Sequence, residues 1–72
     1  MLPVRKNEEY TLNITGMNHE GQGVGRIEGF TVFVDDVIEG EEVQIKIIKV
    51  NKSYGIGKLL KIIKPSKDKI GR

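Results

Sequence analysis

The sequence predicts an all-β fold, a small five-stranded antiparallel barrel. Apolar and β-branched residues alternate with polar residues over short runs, and glycine-rich or polar turns separate these runs. No segment of helical length shows a 3.6-residue apolar period. The edges of a small open sheet invite pairing with other chains, and closure into a barrel removes them. We therefore expect the strands to form a closed barrel.

The first predicted strand covers residues 9–15. Tyr10, Leu12 and Ile14 alternate there with polar neighbours, which is typical of a half-buried strand. A glycine and the polar segment 18–21 end it.

Two further strands are predicted on either side of a tight turn. The second covers residues 24–27 and the third covers residues 30–34. Glu28 and Gly29 between them are typical of a two-residue hairpin turn with positive φ angles. Because side chains alternate between the two faces of a strand, Phe30, Val32 and Val34 lie on the same face of the third strand.

The last two strands are predicted at residues 42–50 and 54–63, joined by a turn at 51–53. The fourth strand alternates cleanly, whereas the fifth contains adjacent apolar pairs. A β-bulge near Gly55 or Gly57, or burial of both faces at a barrel seam, explains these pairs. The inward residues of the fourth strand are Val43, Ile45 and Ile47, and the pairs of the fifth are Leu59-Leu60 and Ile62-Ile63.

The chain of 72 residues is predicted to form one domain. Residues 1–8 are predicted as a flexible N-terminus, 9–64 as the barrel and 65–72 as a polar tail. The chain has no cysteine, so neither a disulfide nor a thiolate metal site is available. Its apolar runs are far shorter than the roughly 18 residues of a membrane span, and its N-terminus lacks an apolar signal segment. We expect a cytoplasmic monomer without membrane association.

Three glycines, Gly21, Gly23 and Gly25, lead into the second strand, and the last of them lies within it. Phosphate-binding glycine loops lead instead into a helix, whose N-terminus supplies amide donors. Neither the dinucleotide-binding spacing nor the ending of a P-loop is present. We expect these glycines to let a short strand coil or approach another backbone closely, which leaves Arg26 free to project.

The sequence contains no recognisable catalytic or metal-binding constellation. His19 is the only histidine, and one imidazole beside Glu20 does not make a metal site. The carboxylates between residues 35 and 42 lack the spacing of calcium ligands, so we expect them to solvate a turn. The chain by itself is not predicted to be an enzyme.

Charge is divided unequally along the chain. Residues 1–42 carry three bases and nine acids, whereas residues 43–72 carry nine bases and one acid. A basic surface is typical of proteins that bind polyanions, although lysines also solvate sheet edges and discourage aggregation. The bases of the last two strands and their turn are Lys46, Lys49, Lys52, Lys58, Lys61 and Lys64.

Tyr54 lies among these lysines, and this combination is typical of small β-barrels that bind single-stranded nucleic acid by phosphate contacts and base stacking. Phe33 points outward and can stack if the valines of its strand form the core; the alternative is burial at a barrel corner. Tyr54 is either a stacking platform or a core residue with a solvated hydroxyl. Arg26 is a candidate for stacking or phosphate contact. The candidate RNA-binding residues are Arg26, Phe33, Lys46, Lys49, Lys52, Tyr54, Lys58 and Lys61.

Five motifs, in order along residues 7–66, resemble the TRAM domain, a small RNA-binding β-barrel of OB-like fold. The family usually has a proline before the acidic connector, where this chain has Asp35-Asp36. The motifs are Gly-x-Gly-Val-Gly-Arg-Ile at 21–27, Gly-Phe-x-Val-Phe-Val at 29–34, Glu-Gly-Glu at 39–41, Lys-Val-x-Lys-x-Tyr at 49–54 and Pro-Ser at 65–66.

The sequence looks most like the N-terminal TRAM domain of bacterial RNA (uracil-5-)-methyltransferases that act on 23S rRNA and tRNA. This resemblance implies a domain that holds single-stranded or loop RNA for a catalytic domain of the same parent chain. The RNA it implies first is 23S rRNA, and residues 65–72 would be the linker to the catalytic domain. It implies no cofactor in this chain, and S-adenosylmethionine and an iron–sulfur cluster in the parent enzyme. One alternative is a stand-alone TRAM protein acting as a general RNA-binding or chaperone factor. Another is a protein adaptor that uses a free strand edge.

Overall fold

The computed structural model describes residues 3–66, and within this range it consists of strands, turns and loops without a helix. The all-β prediction is therefore confirmed. None of these residues forms a helix that is long and apolar enough to cross a membrane. The described range contains six strands rather than five: β1 (Glu9–Asn13), β2 (Gly16–Met17), β3 (Gly23–Ile27), β4 (Phe30–Val34), β5 (Glu42–Val50) and β6 (Tyr54–Lys64).

The six strands form one sheet in the order β1-β5-β6-β4-β3-β2. Neighbouring strands are antiparallel except β4 and β6, which run parallel over the pairs from Thr31 and Tyr54 to Val34 and Gly57. The prediction of a purely antiparallel sheet is wrong at this pair. Parallel strands need a crossover of a dozen or so residues, and residues 35–53, which include β5, provide it.

The two strands at the ends of the sheet, β1 and β2, are separated in sequence by Ile14 and Thr15 alone. The Ile14 N–H donates to the carbonyl of Glu41, directly before β5, at 2.8 Å. The Thr15 N–H donates to the carbonyl of Val24 on β3, also at 2.8 Å. At this bend the chain leaves one end of the sheet and joins the other, so the sheet curls around its inner face.

This bend accounts for two differences from the prediction. The predicted strand at residues 9–15 is two strands, because its two halves pair with opposite ends of the sheet. The predicted closed barrel is a curled sheet, since no ladder among residues 3–66 joins its two end strands.

The inner face of the curled sheet holds the hydrophobic core. The predicted inward faces of β4 and β5 are buried, which confirms the parity assigned from the sequence. Tyr10, Ile27, Val50 and Leu59 pack against the core from positions that are partly buried. The core consists of Val4, Leu12, Ile14, Phe30, Val32, Val34, Val37, Val43, Ile45 and Ile47.

Both chain ends contribute more to the fold than the sequence indicates. Val4 lies in the segment 1–8 predicted as flexible, yet it is 3% exposed. The backbone N–H of Arg5 donates to the Tyr10 hydroxyl at 2.9 Å, which holds this segment against β1. In the predicted tail, Pro65 is exposed and Ser66 is buried, and residues 67–72 lie outside the described residues.

Gly23 and Gly25 lie on β3 where it faces the end of β1. A Cβ on Gly25 would lie 2.5 Å from the Asn13 carbonyl oxygen and 2.7 Å from the Leu12 side chain. A Cβ on Gly23 would overlap apolar side chains of the core. The prediction of close approach to another backbone is confirmed at Gly25, whereas Gly23 is crowded by side chains and Gly21 has nothing within 4 Å of an added Cβ.

The tight turn between β3 and β4 also has the predicted geometry. Glu28 and Gly29 have φ angles of 51° and 85°. Both angles are positive, as a primed two-residue hairpin turn requires.

The pairing of β5 with β6 contains three irregularities, at which one strand skips a residue of the other. One skipped residue, Ile48 on β5, lies across from the step between Ile56 and Gly57, close to a predicted bulge. The other two are Leu60 and Ile63 on β6, and these bulges account for the adjacent apolar pairs. Burial of both strand faces there is wrong, because Leu60, Ile62 and Ile63 are 42%, 37% and 40% exposed.

The acidic connector between β4 and β5 is anchored by one of its own carboxylates. Glu41 is buried, and its Oε1 accepts a hydrogen bond from the Ile38 N–H at 2.8 Å. The prediction of a solvated turn is therefore wrong for Glu41, whereas Asp35, Asp36 and Glu39 are exposed.

Candidate nucleic-acid interface

The sheet surface that points away from the core, here called the outer face, carries seven of the eight candidate residues. Strand alternation and burial assign them: the inward neighbours are buried, whereas these side chains are half-buried or exposed. The eighth candidate, Lys52, is exposed in the turn between β5 and β6. The seven on the outer face are Arg26, Phe33, Lys46, Lys49, Tyr54, Lys58 and Lys61.

One end of the outer face is aromatic. Arg26 is paired with Thr31 across β3 and β4, and Thr31 is paired with Tyr54 across β4 and β6. The three residues therefore form one row on adjacent strands, about 4.8 Å apart from strand to strand. In the next row Phe33 is paired with Ile56.

The rings of Phe33 and Tyr54 form the centre of this aromatic end. Their centroids lie 5.4 Å apart at an interplanar angle of 64°, an edge-to-face contact. Both residues are half-buried and lie outside the core cluster. Phe33 therefore points outward, as strand parity predicts, and Tyr54 is a surface ring rather than a core residue.

The other end of the outer face is basic. Lys49 is paired with Ile56, next to the aromatic rings, and Lys46 is paired with Lys58 two positions further along β6. Lys61 is paired with the neutral Gln44 beyond them. From Tyr54 to Lys61 the strand extends about 23 Å at about 3.3 Å per residue, so the outer face of β6 has aromatic rings at one end and ammonium groups at the other.

These lysines are not neutralised within the described part of the chain. Lys64 lies 4.0 Å from Glu42, an exposed ion pair at the far end of β6. Among residues 3–66, none of the five candidate lysines forms an ion pair. Glu9 faces Lys46 across β1 and β5, but its carboxylate accepts a hydrogen bond from Gln44 at 2.9 Å.

The outer face also has an acidic margin. Asp35 and Asp36 follow β4 and line a shallow depression together with Lys58. A phosphate at Lys58 would therefore have carboxylates nearby, whereas Lys46 and Lys49 lie on the β5 side of the face.

A groove opens beside the two rings. Its volume is about 370 Å³. The turn at residues 18–22 forms one wall, and Phe33, Tyr54 and Ile56 form the other. Asn18 and Gln22 in this turn are polar residues that sequence reasoning missed. The available signal was the Asx-turn potential of Asn18 in a polar, glycine-containing segment.

Within residues 3–66 the structure shows no group of three or more histidine, cysteine or acidic side chains that could hold a metal ion. His19 is exposed in the turn above the groove. The outer face can thus supply positive charge, aromatic faces and amide hydrogen bonds, which are the elements of single-stranded nucleic-acid binding.

The fold and this surface define a small all-β binding domain, and comparison with known proteins identifies its family. A model of the TRAM domain matches residues 3–60. The chain belongs to the TRAM domain family.

Several relatives are similar in sequence over most of the length of this chain. An uncharacterized RNA methyltransferase of Clostridium tetani is 55% identical over 69 residues, which cover 96% of this chain and 15% of that protein. Similar proteins of Clostridium acetobutylicum and Oceanobacillus iheyensis, also uncharacterized RNA methyltransferases, are 51% and 47% identical. The chain thus spans about 15% of the length of these relatives.

A solved structure of similar size shares the fold. The solution structure of a conserved protein of Methanococcus maripaludis superimposes with a TM-score of 0.79 at 30% identity. The match covers 83% of this chain and 86% of that chain, so almost all of that solved chain corresponds to this domain.

Proposed function

We propose that this chain is the RNA-holding domain of an RNA methyltransferase and that the outer face is its RNA-binding surface. The observation that carries the proposal is the placement of Arg26, Phe33, Tyr54 and the basic residues of β5 and β6 on one sheet face. Membership of the TRAM family and the similarity to RNA methyltransferases support it.

In this proposal each end of the outer face has its own role. Lys46, Lys49, Lys58 and Lys61 contact phosphates of a single strand or loop, and Lys52 extends the positive charge at the hairpin turn. Phe33 and Tyr54 stack on bases, each for about 1–3 kcal/mol. Arg26, one row from Tyr54, stacks or binds phosphate.

The proposed parent enzyme is a uracil-5-methyltransferase that acts on 23S rRNA or tRNA in the cytoplasm. S-adenosylmethionine would supply the methyl group in a separate catalytic domain. An iron–sulfur cluster does not fit this chain, because such clusters are held by cysteine thiolates and the 72 residues contain none. Any such cluster therefore belongs to another part of the proposed parent.

A stand-alone RNA-binding or chaperone factor is the second candidate function. The Methanococcus maripaludis structure favours it, since 86% of that solved chain matches this one and no large further part accompanies the shared fold there. The genomic reading frame after Arg72 distinguishes the two candidate functions. An open frame encoding a methyltransferase domain supports the first candidate, and a stop codon supports the second.

RNA binding itself is tested by titrating the chain with a short labelled single-stranded RNA between about 50 and about 200 mM salt. We expect the logarithm of affinity to fall linearly with the logarithm of salt, by about 0.7 for each phosphate neutralised. Lys49→Gln should reduce this slope by about 0.7. Lys64→Gln, at the far end of β6 and already beside Glu42, is the control and should change it less. Affinity without salt dependence would overturn the proposal.

A further inference from the structure

We propose that the groove between the 18–22 turn and the two rings is a nucleobase subsite that prefers uracil to cytosine. This inference rests on the proposed function, because it assigns one base of the bound RNA to one position. The groove volume of about 370 Å³ falls in the range of small-molecule sites, roughly 300–1,000 Å³. The open groove therefore has room for a nucleobase.

The turn at the groove wall is held by the side chain of Asn18. Its Oδ1 accepts hydrogen bonds from the backbone N–H groups of Glu20 and Gln22, each at 2.9 Å. The carbonyl of Asn18 also accepts from the Gly21 N–H at 3.2 Å. Because only an oxygen can accept two N–H groups, the orientation of the Asn18 amide is fixed.

The fixed amide of Asn18 in turn orients Gln22. The Asn18 Nδ2 donates to Gln22 Oε1 at 3.0 Å. Gln22 must therefore present its oxygen to Asn18, and its Nε2 points away as a donor. Within residues 3–66 this Nε2 has no hydrogen-bond partner. Gln22 is half-buried and lines the groove.

Beside the exposed side chains of His19 and Glu20, the wall therefore offers the amide N–H donor of Gln22 to a base whose face rests on Phe33 or Tyr54. Single-stranded RNA is commonly read in this way, with a stacked base hydrogen-bonded along its Watson–Crick edge. Uracil presents carbonyl oxygens at both ends of that edge, whereas cytosine replaces one of them with an amino group. An N–H donor of Gln22 that faces position 4 of the ring donates to the uracil carbonyl there and opposes the cytosine amino group.

The test compares labelled oligouridine and oligocytidine of equal length, bound to the 72-residue chain. These strands carry the same backbone charge and similar rings, so their affinity ratio reports the difference along the Watson–Crick edge, at N3 and at the group on position 4. We expect a preference for oligouridine of about 3- to 10-fold, the effect of one hydrogen bond.

Gln22→Glu is the diagnostic variant. It retains the acceptor for Asn18 and replaces the free donor with an oxygen, and a carboxylate accepts from the amino group of cytosine. The added negative charge lowers both affinities, but the ratio should move towards cytidine. Gln44→Glu adds the same charge at a glutamine whose Nε2 already donates to Glu9. This control should leave the ratio unchanged.

Nuclear magnetic resonance locates the contact. The Gln22 side-chain amide signals should shift on addition of oligouridine and shift less on addition of oligocytidine. Salt-dependent binding with equal affinities, or with a ratio that Gln22→Glu does not change, would overturn the subsite and leave the proposed function standing. Absence of salt-dependent binding to either strand would overturn both.

Discussion

Lys46 on β5 and Lys58 on β6 are direct cross-strand partners, so two ammonium-bearing side chains stand opposite each other on the outer face. Like charges in this position destabilise a sheet. Neither lysine forms an ion pair among the described residues, and Glu9, the neighbour of Lys46 on β1, accepts a hydrogen bond from Gln44 instead. The pair costs the isolated domain stability, whereas a bound phosphate strand would relieve the repulsion.

This arrangement predicts that stability and RNA affinity change in opposite directions in Lys58→Glu. Asp35 and Asp36 line a depression with Lys58, so the variant is made in a background in which both are replaced by asparagine. There, an opposite charge facing Lys46 should raise the free energy of unfolding by about 0.2–1 kcal/mol at low salt, while RNA binding weakens. Urea unfolding and RNA titration measure the two effects. Lys61→Glu is the matched control, because its partner Gln44 is neutral; it should weaken binding without the gain in stability. A loss of stability in Lys58→Glu would contradict the repulsion argument.

The close approach of β3 to β1 predicts a sharp difference between two glycines. In Gly25→Ala the new methyl group would meet the Asn13 carbonyl oxygen and the Leu12 side chain. Such overpacking typically costs about 1–3 kcal/mol. Gly16→Ala has nothing within 4 Å of the new Cβ, so its effect should be near zero. Urea unfolding measures the loss of stability in the two variants. Equal losses would show that the side chains and backbone around Gly25 move to accommodate the methyl group.

The strands could be predicted from sequence because their apolar periodicity reflects local geometry. The inward sets on β4 and β5 and the turn at Glu28 and Gly29 follow directly from period-two alternation and turn chemistry. The split of the first strand could not be predicted in this way. It depends on long-range hydrogen bonds from Ile14 and Thr15 to residues on two different strands, and no local pattern records those partners.

Only part of the candidate site could be predicted from the sequence, for a similar reason. Parity alone directs Phe33 outward, but its contact with Tyr54 depends on the parallel β4–β6 register. Pairing of sequence-distant strands is not encoded in local alternation. The contribution of Gln22 to the groove was missed because it depends on the folded turn above those rings.

The aromatic pair predicts a change in affinity without a change in salt dependence. Phe33→Ala removes a stacking surface but no charge, so RNA affinity should fall by about 1–3 kcal/mol while the salt slope stays constant. Lys49→Gln, by contrast, should reduce both the affinity and the salt slope. Titration at several salt concentrations separates the two effects. Circular dichroism checks that Phe33→Ala folds, and Phe33→Tyr should retain most of the affinity. A reduced slope in Phe33→Ala would show a general disturbance of the face.

The outer edge of β6 predicts a second role for its lysines. β4 pairs with β6 only as far as Gly57, so within residues 3–66 the segment 58–64 has no strand on that side. The segment alternates exposed apolar residues with lysines, and lysine on an exposed edge opposes edge-to-edge pairing. Lys61→Val should therefore promote self-association that increases with protein concentration. Lys52→Val, which removes the same charge in the hairpin turn, should not. Light scattering over a range of protein concentrations measures the difference, and a monomeric Lys61→Val variant would show that the edge is protected by other means.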